Sequence, residues 1–120
     1  MEEAFNSLLS FAEAAEGLKS VPRTAWTASG RRESSAEHSW RLALLALAGL
    51  DFFPGLNRER VLGMCLVHDL GETDTGDISA ASSPDPEIKR GQEEKAVKRI
   101  FSYLPPEQEK SMLALWREYE

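Results

Sequence analysis

The sequence predicts an all-α fold of about five helices in one domain. Three observations carry this. Apolar residues recur at helical spacing in five segments, and several of those segments open on residues that cap helices. No run shows the period-two alternation of a half-buried strand. The chain has 120 residues, 42% of them hydrophobic and 28% charged, which suits a single core spanning residues 1–120.

The first helix is expected over about residues 3–17. Phe5, Leu8, Leu9, Ala12 and Ala15 share one face, and Gly17 is a stop signal. Residues 19–33 hold Pro22, Gly30 and the bases Lys19, Arg23, Arg31 and Arg32, and read as a long irregular connection. Ser34 and Glu37 form a capping box, so the second helix starts near Ser35 and runs to about Leu50. Its residues 42–48 are apolar on every side, which predicts a central position. Asn57 caps a third helix through Val61, Leu62, Met64, Cys65, Leu66, Val67 and Leu70, with an end anywhere from 70 to 76. Residues 79–86 read as a loop. Ala96, Val97, Ile100, Phe101 and Leu104 mark a fourth helix. Pro105 and Pro106 separate it from a fifth, with Met112, Leu115, Trp116 and Tyr119 on one face. That helix is still amphipathic at Glu120, so the sequence is expected to stop short of a larger helical unit or to pack its last face on a partner. Trp40, Phe52, Phe53, Phe101 and Trp116 read as core or interface, and Cys65 as an inert core thiol.

Composition narrows the function classes. The net charge of −6 argues against an extended nucleic-acid surface. The longest apolar run, residues 42–50, is far short of the ~20 residues that span a membrane. One cysteine rules out an internal disulfide and points to a reducing, cytoplasmic setting. Four acids (Asp69, Glu72, Asp74 and Asp77) fall in a stretch without a base, an arrangement that water or a cation must screen.

The two histidines locate the chemistry. His38 lies in the first turn of the second helix, and His68 late in the third, followed at once by Asp69. Antiparallel packing of these helices would set the imidazoles face to face. Two imidazoles and a carboxylate suit a divalent transition metal. A helical histidine alone is more often a hydrogen-bonded core or surface residue than a ligand; two histidines in apolar helices, the doubling with Asp69 and the acid-rich stretch raise the case for a metal. Glu72 follows His68 by one helical turn and overhangs the donors.

The segments Glu33-Ser34-Ser35-Ala36-Glu37-His38-Ser39, Val67-His68-Asp69-Leu70-Gly71-Glu72 and Thr75-Gly76-Asp77-Ile78 together resemble the HD-domain metal-dependent phosphohydrolases, most of all the 5′-deoxynucleotidase branch. Val21-Pro22-Arg23-Thr24-Ala25-Trp26 and the amphipathic residues 113–120 share the likeness, which runs from about residue 8 to 120.

The resemblance implies a helical HD-domain bundle that here lacks the family's C-terminal helices. It also implies a divalent ion (Mn, Co, Zn, Fe, Ni or Mg) held by His38, His68 and Asp69. The family's fourth ligand, a later Asp, has no counterpart in this sequence. Glu72 takes the catalytic role of handling the attacking water, Arg23 grips the phosphate, Asp77 contacts the sugar and Trp26 lines the pocket. The implied reaction removes the 5′-phosphate from (deoxy)nucleoside 5′-monophosphates, with a homodimer as the usual assembly and no nucleic-acid or membrane partner. A non-catalytic nucleotide- or metal-binding module is the alternative, because of the missing ligand. Glu37 is assigned to the capping box, and Arg31 and Arg32 to an exposed loop.

Overall fold

The structure, a computed structural model, describes residues 1–75 and 85–120, with Asp74 and Thr75 described by backbone alone. Asp77 and the expected loop at 79–84 lie outside the described residues. Six α-helices appear among the described residues: α1 (Glu2–Ala15), α2 (Ser35–Gly49), α3 (Arg58–Val67), the single turn α4 (Glu72–Thr75), α5 (Pro86–Phe101) and α6 (Pro106–Tyr119). The all-α expectation is met by the five long helices, and the caps of α2 and α3 are those read from the sequence. Ser34 Oγ accepts from the Glu37 backbone N–H at 3.2 Å, while the Glu37 carboxylate accepts from the Ser34 N–H at 2.8 Å. Asn57 Oδ1 accepts from the Arg60 N–H at 3.1 Å. The expected loop ends earlier than 86, since Asp85 caps α5 and Pro86 is its first residue.

The connection at 19–33 is more ordered than its sequence suggests. A short 3₁₀ segment (Glu16–Ser20) leads into β1 (Pro22–Trp26), which pairs antiparallel with β2 (Arg32–Ser34). The pairing runs Pro22 to Ser34 and Trp26 to Arg32, with an irregularity between. Gly30, at φ 88°, turns the chain where a Cβ would be strained. The Arg31 N–H donates to Thr27 Oγ1 at 3.3 Å and so closes the turn.

The third helix stops at Val67, short of the expected range. Beyond it Leu70, Glu72 and Thr73 donate to the carbonyls of Val67, Asp69 and Leu70, three residues back. These tighter bonds turn the chain before α4. The turn is packed closely: a Cβ on Gly71 would lie 2.6 Å from Glu93 Cβ and 3.0 Å from the Glu93 carbonyl oxygen.

α2 and α3 run antiparallel. At one end Arg58, the first residue of α3, donates to the Leu47 carbonyl at 3.3 Å and to Asp51 at 2.5 Å. At the other end His38 and His68 meet. The core lies elsewhere, among Leu18, Val21, Val67, Leu70, Val97, Ile100, Phe101 and Trp116. It joins α5 and α6 to the end of α3, and Phe11 of α1 packs on Phe101 with ring centroids 6.2 Å apart.

The predicted central burial of α2 is not found. Its buried residues are Ser35 and Ser39, while Leu45 is 69% exposed and Leu44 and Leu47 are also exposed. One side of α2 packs on α3, and no described element covers the other. Trp40, Phe52 and Phe53 are likewise exposed, as are Phe5, Leu8 and Leu9 of α1, whereas Phe101 and Trp116 are fully buried. Cys65 is buried and free, and burial pushes its thiol up.

Candidate metal centre

The antiparallel packing of α2 and α3 brings the two imidazoles together. The ring centroids of His38 and His68 are 5.6 Å apart, edge to face at 71°. Asp69 completes a group in which one donor atom from each of His38, His68 and Asp69 lies within 4.8 Å of the others. It is the only such group of three or more among the described residues.

The chemistry of the three donors fits a divalent ion. His68 is 4% exposed and caps the end of α3. Its Nδ1 donates to the Cys65 carbonyl at 2.8 Å, which fixes the ring and directs Nε2 toward Asp69 Oδ2 at 3.0 Å. A backbone carbonyl on the outer ring nitrogen is the usual support of a metal-binding imidazole. Burial pulls the His68 pKa down, but the hydrogen bond and charge of Asp69, the Cys65 carbonyl and Glu72 outweigh it, and the net shift is upward. His38 shifts the other way. Burial and then the charge of Arg23 lower its pKa against the pull of Asp69, a shift toward the neutral form that binds metals.

Glu72 stands beside this group. It begins α4, is 8% exposed, and its Oε2 accepts from Ser35 Oγ at 2.9 Å. Arg23 lies inward on β1, close enough for its charge to act on His38. Its Nε is 3.5 Å from Glu33 Oε1 and makes no hydrogen bond. Arg32 Nε donates to the Arg23 carbonyl at 2.9 Å and steadies the strand from β2. A hollow of about 250 Å³ adjoins His38, lined also by Glu33, Arg41, Leu42 and Leu45, and opens that imidazole to solvent.

The remaining predicted site residues divide. Trp26 stands 68% exposed on the outward side of β1, while Arg23 and Ala25 face inward. That exposure gives no support to a pocket-lining role. Asp77 is outside the described residues. Arg31 is no idle loop base: its two terminal nitrogens donate to the two Glu37 oxygens at 2.9 and 2.6 Å. Three further residues border the centre. Glu33 faces Arg23, Ser35 bonds Glu72, and the Tyr119 ring lies 4.7 Å from the His68 ring. Burial, then the charge of Asp69, pushes the Tyr119 phenol up. Sequence reading placed Tyr119 only on an apolar helix face and Ser35 only in a cap. Neither carries a local signal of a contact so distant along the chain.

Comparison with known proteins identifies relatives of the chain. The chain is 40% identical over 116 residues to the 5′-deoxynucleotidase HDDC2 of Homo sapiens, an alignment covering 95% of this chain and 56% of that protein. It is 33% identical over 120 residues to the 5′-deoxynucleotidase hdd1 of Schizosaccharomyces pombe, covering 95% and 60%. The chain thus spans little more than half the length of these relatives. A crystal structure described as a "Predicted metal-dependent phosphohydrolase", from Magnetospirillum magnetotacticum MS-1, superposes with a TM-score of 0.86 at 34% identity, over 98% of this chain and 60% of that one. Residues 15–120 match the family described as the HD domain. That match takes in the hairpin, both imidazoles, Asp69 and every helix after α1, and the chain belongs to the HD domain family.

Proposed function

We propose that the chain is a metal-dependent phosphohydrolase that removes the 5′-phosphate from (deoxy)nucleoside 5′-monophosphates. The observation that carries this is the convergence of His38, His68 and Asp69 within 4.8 Å beside the buried Glu72 carboxylate. The names of the two relatives support the substrate class.

In this reading His38, His68 and Asp69 hold one divalent ion. When bound, such an ion lowers the pKa of water toward neutrality and polarises the phosphoryl group. Glu72 accepts a proton from the attacking water as its oxygen bonds to phosphorus. The ester oxygen leaves as the sugar 5′-hydroxyl and takes up a proton, giving a (deoxy)nucleoside and inorganic phosphate. Proton handling of this kind typically contributes ~10²–10⁴ in rate. Arg23 holds the phosphate with N–H donors, a role its inward position beside His38 supports. Asp77 is assigned to the sugar on the motif alone.

The same reading takes the protein as cytoplasmic and homodimeric. A single buried free cysteine suits a reducing compartment, and the exposed apolar side chains of α1 and α2 suit a second copy. No helix among the described residues is long and apolar enough to cross a membrane.

Metal analysis of the purified chain, followed by a phosphate-release assay on deoxynucleoside 5′-monophosphates with Mn²⁺ or Co²⁺, tests the proposal. Stoichiometric metal with turnover supports it. Metal without turnover favours a binding module, and no stoichiometric metal removes the metal-dependent reading.

A further inference from the structure

We propose that Ser35 is a positioning residue that aims the Glu72 carboxylate at the reacting water. The inference rests on the reading of Glu72 given above, and adds to it the group that fixes its orientation.

Ser35 is the first residue of α2 and has no exposed surface. Its own place is determined on several sides. The backbone N–H donates to the Val21 carbonyl at 2.8 Å, tying the helix start to the entry of β1. Ser34, just before it, and Glu37, two residues on, form the capping box. A backbone held this firmly leaves the Ser35 hydroxyl only its χ1 rotation, and Oγ donates to Glu72 Oε2 at 2.9 Å.

Such a bond bears on where the Glu72 carboxylate points. Its backbone follows a tight turn, with its N–H on the Asp69 carbonyl at 2.9 Å, and that settles where its Cα stands. The backbone does not settle where the carboxylate points, since a glutamate has three side-chain torsions. A donor on one carboxylate oxygen selects one orientation, and a buried hydrogen bond to a charged acceptor is among the stronger ones. The bond joins α2, which carries His38, to α4, which carries Glu72. Metal donor and proton acceptor are thereby held in one frame. An alanine at 35 would serve the helix start equally well, so local helix formation does not account for this hydroxyl.

The test uses Ser35→Ala in the full chain, read in two ways. The first is the orientation of Glu72 in a crystal structure, which needs no turnover. Several Glu72 rotamers, or a single one turned away from residue 35, are expected; an unchanged Glu72 overturns the proposal. The second is phosphate release. Ser35→Ala should lower kcat by roughly 10–100-fold with KM unchanged, and Ser35→Thr should recover much of it. In a Glu72→Ala background, adding Ser35→Ala should cost nothing more. A further loss of equal size there overturns the proposal, because Ser35 would then act by some route other than Glu72. Full turnover by Glu72→Ala alone removes the reading on which the proposal rests. That result differs from failure of the proposal itself, in which Glu72→Ala is slow and Ser35→Ala is fast.

Discussion

His38 and His68 come from different helices, and their rings meet edge to face at 5.6 Å. The end of α3 delivers one and the start of α2 the other, with Arg58 clamping the far ends of the same two helices. Asp69, next in sequence to His68, adds an oxygen on the same side.

Substitution separates the proposed metal donors from the proposed proton acceptor. His68→Ala and Asp69→Ala should each lose both bound metal and phosphate release. Glu72→Ala should keep the metal and lose ~10²–10⁴ in rate. Elemental analysis beside a phosphate assay on each variant checks this, and a Glu72→Ala protein at full speed would show that its carboxylate is not used.

Arg23 should act on binding more than on turnover. Removing hydrogen bonds to a charged phosphate costs about 1.5–3 kcal/mol, or roughly tenfold or more in KM. Arg23→Ala should show this, and Arg23→Lys should recover only part, because an ammonium does not reproduce a planar pair of donors. Steady-state kinetics on both variants gives the answer; an unchanged KM would place Arg23 outside the substrate site.

Glu37 should titrate far below an ordinary carboxylate. The hydrogen bond from Arg31 is the largest cause, followed by those from Ser34, and the carboxyl is lowered to about 2 from 4.5. The folded value lies below the unfolded one. The contribution to stability is therefore complete above pH 4.5 and is lost as pH falls toward 2. Carbon NMR of the Glu37 carboxyl in an acid titration measures it directly. Arg31→Ala should move the midpoint up toward 4.5, and no movement would mean that the pair is not made in solution.

Gly71 and Gly63 should respond differently to alanine. A Cβ at Gly71 meets the Glu93 backbone as well as its side chain, so α5 must shift; the cost is about 1–3 kcal/mol. A Cβ at Gly63 lies 2.9 Å from Leu115 Cδ1, the far end of a flexible side chain, and should cost less. Thermal melts of the two variants compare them, and equal melting temperatures would argue against close packing of α5 on the turn before Glu72.

Much of this molecule was legible in its sequence, for reasons that differ by element. Helix starts were legible because capping is local: Ser34, Asn57 and Pro106 act within one turn. The histidine pair was legible through the antiparallel packing of two helices. The hairpin was not, since β2 is three residues long and carries no apolar side chain, leaving no alternation to detect. The exposure of Leu44, Leu45 and Leu47 was also beyond reach. An apolar run records a demand for cover, while burial depends on which neighbours lie against it. The approach of Ser35 to Glu72 joins residues far apart in the chain, and no short-range pattern encodes it.

The most direct measurement is anomalous diffraction from crystals of the full chain grown or soaked with Mn²⁺ or Co²⁺. One strong peak is predicted at ~2.0–2.3 Å from a ring nitrogen of His38, a ring nitrogen of His68 and a carboxylate oxygen of Asp69. A well-ordered structure with those rings in place and no metal peak between them would contradict the account.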